Sequence, residues 1–495
     1  MISTRAIIGA LCVGMGICAC VSDSNVAPLT GPLRASLRAQ PAATPSLSGA
    51  TGSNAEGRYL VVFKSGQSSG ASFQQAVQAA GGQVEGLQPD LGFAVVSGLS
   101  PDAANRVKAV TDVSSMDPDM EFSVEPSSDV EALAAAADLR TESATAPQTA
   151  LLFGRQWNMR AVFANTAWAA GFLGSPDVSV AILDTGIDYT WPDLRGRVDT
   201  SRSISLRPTD DTLVDRWFPG RNHISDLAAH GTLVSSIVAS NSGFFAGVTT
   251  QTTLFGVKVC TVFGTCSTAA IFNGIKYAVD HGADVINMSL GGGFPKNALP
   301  GFVAVINRVF NYANKAGVLI VVAAGNSSID LDHDGNFYAT YCNSPHVICV
   351  SATGPTSAAT ANGPFINPDA FAPYSNFGRS AISLAAPGGG ISSNNVLVSG
   401  PCSSATLFFD DSTHTILGRL CPPPGLFLVR GNGTSFSAPH VTGAAAQLVA
   451  LLGHGRASQI RARLQQSADD IGAPGKDPLF GKGRLNVARA VGANP

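Results

Sequence analysis

The chain reads as an α/β fold, a parallel sheet covered by helices on both faces, preceded by a small α+β unit. Two observations predict the sheet. Apolar runs recur at Val178 to Leu183, Leu254 to Val259, Asp284 to Leu290, Val318 to Ala324, Val347 to Val350 and Ile382 to Ala386. They lack the alternation of a sheet with one wet face, so both faces are expected to be buried. Helical stretches such as Thr268 to Asp280 and Phe302 to Lys315 separate them, the order that builds parallel strands. A shorter alternation of strands and helices within residues 58–126 predicts the smaller unit.

In chain order, Arg5 precedes an apolar run from Ala6 to Ala19. It is too brief for a membrane-spanning helix and is flanked as a signal peptide is, so residues 1–20 are expected to direct export. The run ends Ile17-Cys18-Ala19-Cys20, which is similar to a bacterial lipobox. Cleavage there would leave Cys20 as an acylated first residue and a membrane tether; ordinary cleavage at a small-residue site is the alternative. Residues 21–57, rich in Ser, Ala, Pro, Thr and Gly without periodicity, read as a disordered linker. Tyr59 to Phe63 and Phe93 to Val96 are strands, and Ser72 to Ala80 is a helix stopped by Gly81-Gly82. Ser100-Pro101-Asp102 opens a helix to Val110, with Ser as N-cap and Pro at the first helical position. Val113 to Val124 is a last extended piece. Residues 127–155, Ala-rich and polar, read as a cleavable connector, with the cut expected ahead of Gln156-Trp157-Asn158. Residues 156–495 are the large unit.

Charged residues make up only 13% of the chain, against about 25% in typical soluble proteins. A net charge of −3 with no basic block speaks against nucleic acid as a partner. Low charge fits an exported chain.

Three stretches carry chemistry. Gly433-Thr434-Ser435-Phe436-Ser437-Ala438-Pro439-His440 leads into a run of small and apolar residues, Gly443 to Leu452, that reads as a buried helix with Ser435 at its first turn. A hydroxyl there lies beside unpaired backbone N–H groups and the positive end of the helix dipole, where an oxyanion is stabilised. Asp184 ends the first apolar strand in Asp184-Thr185-Gly186, a usual place for a functional acid. His230-Gly231-Thr232 opens a small-residue helix to about Ala239. Each alone is a weak signal, but the order Asp, His, Ser is that of one serine-protease solution.

On these motifs, Asp184-Thr185-Gly186-Ile187-Asp188, His230-Gly231-Thr232 and Gly433 to His440, the chain resembles the subtilisin-like (subtilase) serine peptidases over roughly residues 156–495. The resemblance implies a serine endopeptidase that hydrolyses polypeptides through an acyl-enzyme and requires no cofactor for the chemistry. Ser435 would be the nucleophile, His230 the general base and acid, and Asp184 the group that orients the imidazole. It also implies that residues 58–126 are the inhibitory prodomain of a precursor that processes itself, which makes that prodomain a partner of the enzyme. Ser289, Leu290 and Gly291, with Ala323, Ala324 and Gly325, match the segments lining the primary specificity pocket. Asn326 matches the oxyanion-hole asparagine. His440, five residues after Ser435, falls off the serine's face of the helix at about 100° per residue and reads as a packed histidine. The family usually has a second histidine after His-Gly-Thr; here Leu233 follows. A long insertion between Gly389 and Gly431, holding Cys402 and Cys421, enters just before the nucleophile.

Outside the signal region lie Cys260, Cys266, Cys342, Cys349, Cys402 and Cys421. An even number in an exported chain suggests disulfides, and sequence proximity favours Cys260 with Cys266, Cys342 with Cys349 and Cys402 with Cys421. Asp330, Asp332 and Asp334, followed by Gly335, have the spacing of a calcium loop's first half without its closing Glu. A structural calcium and a solvated acidic turn are the two readings. For the whole chain, the reading set against the endopeptidase is a catalytically silent or prodomain-blocked peptide-binding scaffold.

Overall fold

The computed structural model describes residues 57–64, 70–124, 129–133, 145–297, 299–410, 413–423 and 425–493. The readings for residues 1–20, for Cys20 and for all of 21–57 except Gly57 lie outside the described residues.

The N-terminal unit contains β1 (Tyr59–Phe63), α1 (Ala71–Ala79), β2 (Gln83–Gln88), β3 (Phe93–Ser97), α2 (Pro101–Val110) and β4 (Val113–Pro118). Its strands form an antiparallel sheet in the order β2-β3-β1-β4. Helix α2 starts as its sequence requires: Pro101 takes the first turn, and the Ser100 Oγ accepts from the Ala103 N–H at 3.2 Å. β2 is additional to the expected elements; it is a partly exposed edge strand without an apolar run. The extended piece after α2 is broken at Asp119, so that β4 is followed by a separate strand, β5 (Glu121–Ser123).

The elements that build the remaining architecture are β6 (Asp129–Leu133), β7 (Ser179–Asp184), β8 (Ile204–Ser205), α3 (His230–Ala239), β9 (Thr253–Lys258), β10 (Thr265–Ser267) and α4 (Thr268–Asp280). They continue with β11 (Val285–Met288), α5 (Pro300–Lys315), β12 (Leu319–Ala323), β13 (Val347–Thr353), β14 (Leu384–Pro387), β15 (Val398–Pro401), β16 (Leu426–Gly431) and α6 (Thr434–Leu452). Seven of these strands make a parallel sheet, β14-β13-β12-β11-β7-β9-β8. Successive side chains of a strand face opposite ways, and both faces are covered. Val180, Ile182, Leu319 and Val321 pack with Leu233 and Val234 of α3 and Val441 and Leu448 of α6. Ala181, Leu183, Ile320 and Val322 pack with Phe272 and Ile275 of α4 and Val305 of α5. This double burial is why the strands lack polar alternation. β7 has β9 on one side and β11 on the other, so consecutive connections diverge there and open a crevice at the carboxyl edge.

The small sheet is also covered twice. Tyr59, Val61 and Phe63 pack under α1 and α2 with Phe73, Val77 and Val107. Leu60, Val62, Phe93 and Val95 face the other way, against Phe272 of α4 and Phe302 of α5. Arg308 of α5 donates to the carbonyls of Leu91 and Gly92 at 3.2 and 3.1 Å. Asp119 leaves the strand path because its carboxylate caps α4, accepting from the Ala269 N–H at 3.0 Å and from the Ser267 hydroxyl. Burial pushes that carboxyl up to about 6. Each apolar side chain buried in this contact contributes roughly 1.5–3 kcal/mol, so the second face of the small sheet is committed to the large unit.

Of the stretch read as a connector, Asp129–Leu133 is a strand in the antiparallel sheet β15-β16-β6, and turns of 3₁₀ helix occupy Pro147–Thr149 and Phe153–Arg155. Its composition was no guide to this, because the partner strand lies some three hundred residues further on.

The three cysteine pairs are bonded: Cys260 with Cys266, Cys342 with Cys349 and Cys402 with Cys421. The insertion closed by the last pair braces the loops after β7 and before α3. The Ser404 N–H and Oγ both donate to Asp188 Oδ2 at 2.7 Å, the Ser403 Oγ donates to the Asp226 carbonyl at 2.6 Å, and the Leu407 N–H donates to the Leu227 carbonyl at 2.9 Å. Closing a loop with a sequence separation of 19 contributes about 3 kcal/mol in the chain-entropy account. The double variant Cys402→Ser, Cys421→Ser is therefore expected to lower Tm by several degrees and to reduce peptidase activity, because Asp188 and Asp226 flank the site. A melt indistinguishable from wild type would refute it.

Candidate active site

Asp184, Ser289 and Asn326 each follow or end a strand of the parallel sheet, and the structure collects them at its carboxyl edge. β7 delivers Asp184, fully buried, into the Thr185-Gly186 turn. Its Oδ1 accepts from the Thr185 N–H at 2.7 Å and lies 2.7 Å from Nδ1 of His230. A carboxylate only accepts, so Nδ1 carries the proton and Nε2 is left as the basic nitrogen.

His230 is the first residue of α3, and the approach is tight. A Cβ on Gly231 would sit 2.1 Å from the Gly186 carbonyl oxygen and 3.2 Å from Asp184, which is why glycine follows the histidine. Ala229 adopts a left-handed backbone with φ of 72°, a strained state that the surroundings must hold. Asp226 holds it. Its buried carboxylate accepts from the N–H groups of Ala228, Ala229 and Thr232 at 3.0, 2.9 and 2.8 Å, from the Thr232 hydroxyl at 2.6 Å and from the Thr185 hydroxyl at 2.9 Å. Burial raises its pKa above the ordinary carboxylate range. Sequence reasoning passed over Asp226; the available signal was an N-capping residue type four positions ahead of a helical histidine.

Ser435 stands in the first turn of α6, and the ring of Phe436 next to it lies 5.6 Å from that of His230. Pro439 sits inside the helix and has no N–H to donate to the Ser435 carbonyl four residues back. That carbonyl instead accepts from the Ser289 Oγ at 2.6 Å. The chain continues through Asn287, whose Nδ2 donates to Ser289 Oγ at 2.9 Å and whose Oδ1 accepts from Thr442 at 2.8 Å. The Ser289 side chain is thus committed to the nucleophile's backbone, while Leu290 is buried and Gly291 follows on the same wall. Ala323 and Ala324 are buried at the end of β12, and Gly325 has φ of 93° and donates its N–H to the Thr434 Oγ1 at 2.9 Å.

Asn326 is oriented by the same threonine. The Thr434 N–H and hydroxyl both donate to its Oδ1, at 2.8 and 2.9 Å. A backbone N–H can only donate, so this atom is the oxygen and the amide N–H groups point elsewhere. Substituting Asn326 by Leu is expected to lower kcat by about 10²- to 10³-fold with KM little changed, the signature of a donor acting in the transition state. A loss confined to KM would contradict that role.

His440 is fully buried. Its Nδ1 lies 2.7 Å from the Phe436 carbonyl and its Nε2 2.9 Å from the Asn158 Nδ2, and burial lowers its pKa to about 4. It is a packed histidine, both of its ring nitrogens engaged by Phe436 and Asn158 rather than by the site.

The three aspartates with calcium-loop spacing do not make a ligand set. Asp330 binds the Asp332 N–H at 3.0 Å and His333 at 2.8 Å; Asp332 accepts from the Ser380 N–H at 3.0 Å; Asp334 pairs with Lys296 at 2.9 Å. Each carboxylate is taken up by a different protein donor, and among the described residues no group of three acidic, His or Cys side chains is placed to hold a metal ion. Of the two readings, the acidic turn fits the residues.

An imidazole held by a buried carboxylate at the carboxyl edge of a parallel sheet, its ring close to that of Phe436 next to a serine in a helix's first turn, is an arrangement suited to nucleophilic acyl transfer. The chain belongs to the subtilase family, whose model matches residues 175–483, and it is a subtilisin-like serine endopeptidase. It is 29% identical to thermitase of Thermoactinomyces vulgaris over 346 residues, 70% of this chain and 99% of that protein. It is 30% identical to alkaline elastase YaB of a Bacillus species over 339 residues, 68% of this chain and 70% of that one. Among solved structures, the epidermin leader peptide processing serine protease of Staphylococcus aureus shares the fold at a TM-score of 0.64 and 20% identity, covering 89% of this chain and 99% of its own. Fervidolysin of Fervidobacterium pennivorans does so at 0.61 and 23%, covering 89% and 61%.

Proposed function

We propose that this chain is an exported endopeptidase, made as a self-processing precursor, in which Asp184, His230 and Ser435 form the catalytic triad. The observation that carries this reading is the 2.7 Å contact between Asp184 Oδ1 and His230 Nδ1 beside the serine-bearing first turn of α6. His230 Nε2 removes the Ser435 proton as Oγ attacks a peptide carbonyl, and Asp184 keeps the proton on Nδ1 and stabilises the imidazolium. The developing oxyanion lies toward the Ser435 N–H and the Asn326 amide, and the imidazolium returns its proton to the leaving amine. Water then resolves the acyl-enzyme by the reverse path. The walls Ser289-Leu290-Gly291 and Ala323-Ala324-Gly325 would flank the substrate residue whose carbonyl is attacked.

A second reading has one observation behind it: strand β5 of the N-terminal region lies paired with β10, as in a peptide-binding scaffold that stays catalytically silent. The two readings separate on labelling with a fluorophosphonate, which reacts only with an activated serine. The endopeptidase takes up label at Ser435 once residues ahead of the mature enzyme have been removed, whereas a silent scaffold stays unlabelled before and after. Export and a lipid anchor at Cys20 belong to the proposal; incorporation of radiolabelled fatty acid into wild type and its loss in Cys20→Ser is the check.

A further inference from the structure

Arg207 is a buried cation that the chemistry of the site does not use. It stands just ahead of the helix Pro208–Trp217, and its side chain is 3% exposed. Its Nη2 donates to Glu121 Oε1 at 2.8 Å, while its Nε and Nη1 have no hydrogen-bond partner. The acids in the first turn of its own helix are committed elsewhere. Asp210 pairs with the fully buried Lys258 at 2.9 Å and accepts from the Val262 N–H at 3.1 Å, and Asp211 lies 3.7 Å from His223. Among the described residues, the carboxylate paired with Arg207 is that of Glu121. A buried charge left without a partner is strongly destabilising, so a guanidinium kept at this depth implies an anionic group that meets it.

Glu121 reaches Arg207 from a strand that joins the large unit only at its edge. β5 and β10 form a sheet of two, antiparallel, with Glu121 opposite Ser267, Phe122 opposite Cys266 and Ser123 opposite Thr265. Without β5, β10 is an open edge, braced by the Cys260–Cys266 disulfide, and an extended peptide added to such an edge is a common mode of recognition. Neighbouring side chains of an added strand point opposite ways. Phe122 lies over Gly292, where a Cβ would stand 1.9 Å from its ring, and Glu121 turns the other way to Arg207. Gly292 belongs to the wall whose Ser289 holds the Ser435 carbonyl, so the edge and its arginine lie along the site.

We propose that Arg207 is a specificity-determining residue: with β5 gone, an extended polypeptide substrate pairs with β10, and Arg207 takes an Asp or Glu side chain of that substrate where Glu121 now stands. This rests on the endopeptidase reading above. The planar guanidinium can donate to both oxygens of a carboxylate, and Nε and Nη1 are the donors still open for it. The adjoining substrate side chain, over Gly292, would be apolar. The contact is remote from the bond that is broken and acts through binding, so it selects among long substrates.

The test is cleavage-site profiling on a proteome-derived peptide library, read by mass spectrometry, with enzyme freed of its N-terminal region. The expected result is an enrichment of Asp and Glu by about tenfold at one position fixed relative to the cut bond, the size that a hydrogen bond to a charged group confers. Arg207→Lys should weaken but keep that preference, and Arg207→Gln should abolish it. Should Arg207→Gln not fold, Arg207→Met, which keeps the apolar stem, takes its place; if neither folds, the wild-type profile decides alone. No acidic preference in wild type, or a preference that the uncharged variant retains, overturns this inference and leaves the endopeptidase standing. A protein that cuts no peptide and takes up no fluorophosphonate overturns the endopeptidase reading and this inference with it.

Discussion

Ser435→Ala is expected to lower peptide hydrolysis by about 10⁶-fold, the size measured on subtilisin, a member of this family. Without Oγ there is no acyl-enzyme. What survives is catalysis from binding and from donors such as the Asn326 amide, which do not depend on the hydroxyl. The substitution removes a single oxygen from a helix whose other contacts are made by neighbours: the Ser435 carbonyl stays with Ser289 and Thr434 stays with Asn326. The fold should therefore persist, and the precursor should accumulate at full length. The measurement is hydrolysis of a chromogenic peptide by purified protein, with a gel of the precursor beside it; a loss smaller than about a hundredfold would mean that Ser435 is not the nucleophile.

Asp184→Asn should cost about 10⁴-fold in kcat with the fold intact. Asp184 Oδ1 receives both the Thr185 N–H and the His230 ring at 2.7 Å. In the variant, if the amide nitrogen faces the ring, Nδ1 must give up its proton and Nε2 can no longer act as the base. If the oxygen stays, the tautomer survives but the imidazolium formed during attack has lost its counter-charge in a site closed to water. Both outcomes raise the barrier. Kinetics at saturating substrate together with a thermal melt decide the matter: a rate within tenfold of wild type, at unchanged Tm, would remove Asp184 from the triad.

Much of this molecule is legible in its residues taken locally. The apolar runs ending at Asp184, Ser289 and Ala324 mark strands buried on two faces, and a parallel sheet of such strands gathers their carboxyl ends at one edge. Cysteines close in sequence are bonded because short loops keep their ends together. Even the run of small and apolar residues after His440 marks its helix as buried. In each case neighbours in the sequence supply the determining contact.

What only the tertiary structure decided are the contacts between residues far apart. Leu60 and Val62 announce a second buried face in β1, but nothing local says that α4 and α5 cover it. Asp119 looks like a break in a strand until it is seen capping α4, and Asp226 looks like a loop aspartate until five donors converge on it. Asp330, Asp332 and Asp334 have the spacing of ligands, yet distant donors such as Lys296 and Ser380 draw them apart. The pairing of Phe122 with Cys266 and of Val130 with Val429 makes strands of a stretch of undistinguished composition. The physical reason is common to all of these: periodicity and residue type state which groups must be buried or satisfied, whereas the partner that satisfies them is chosen by packing of the whole chain.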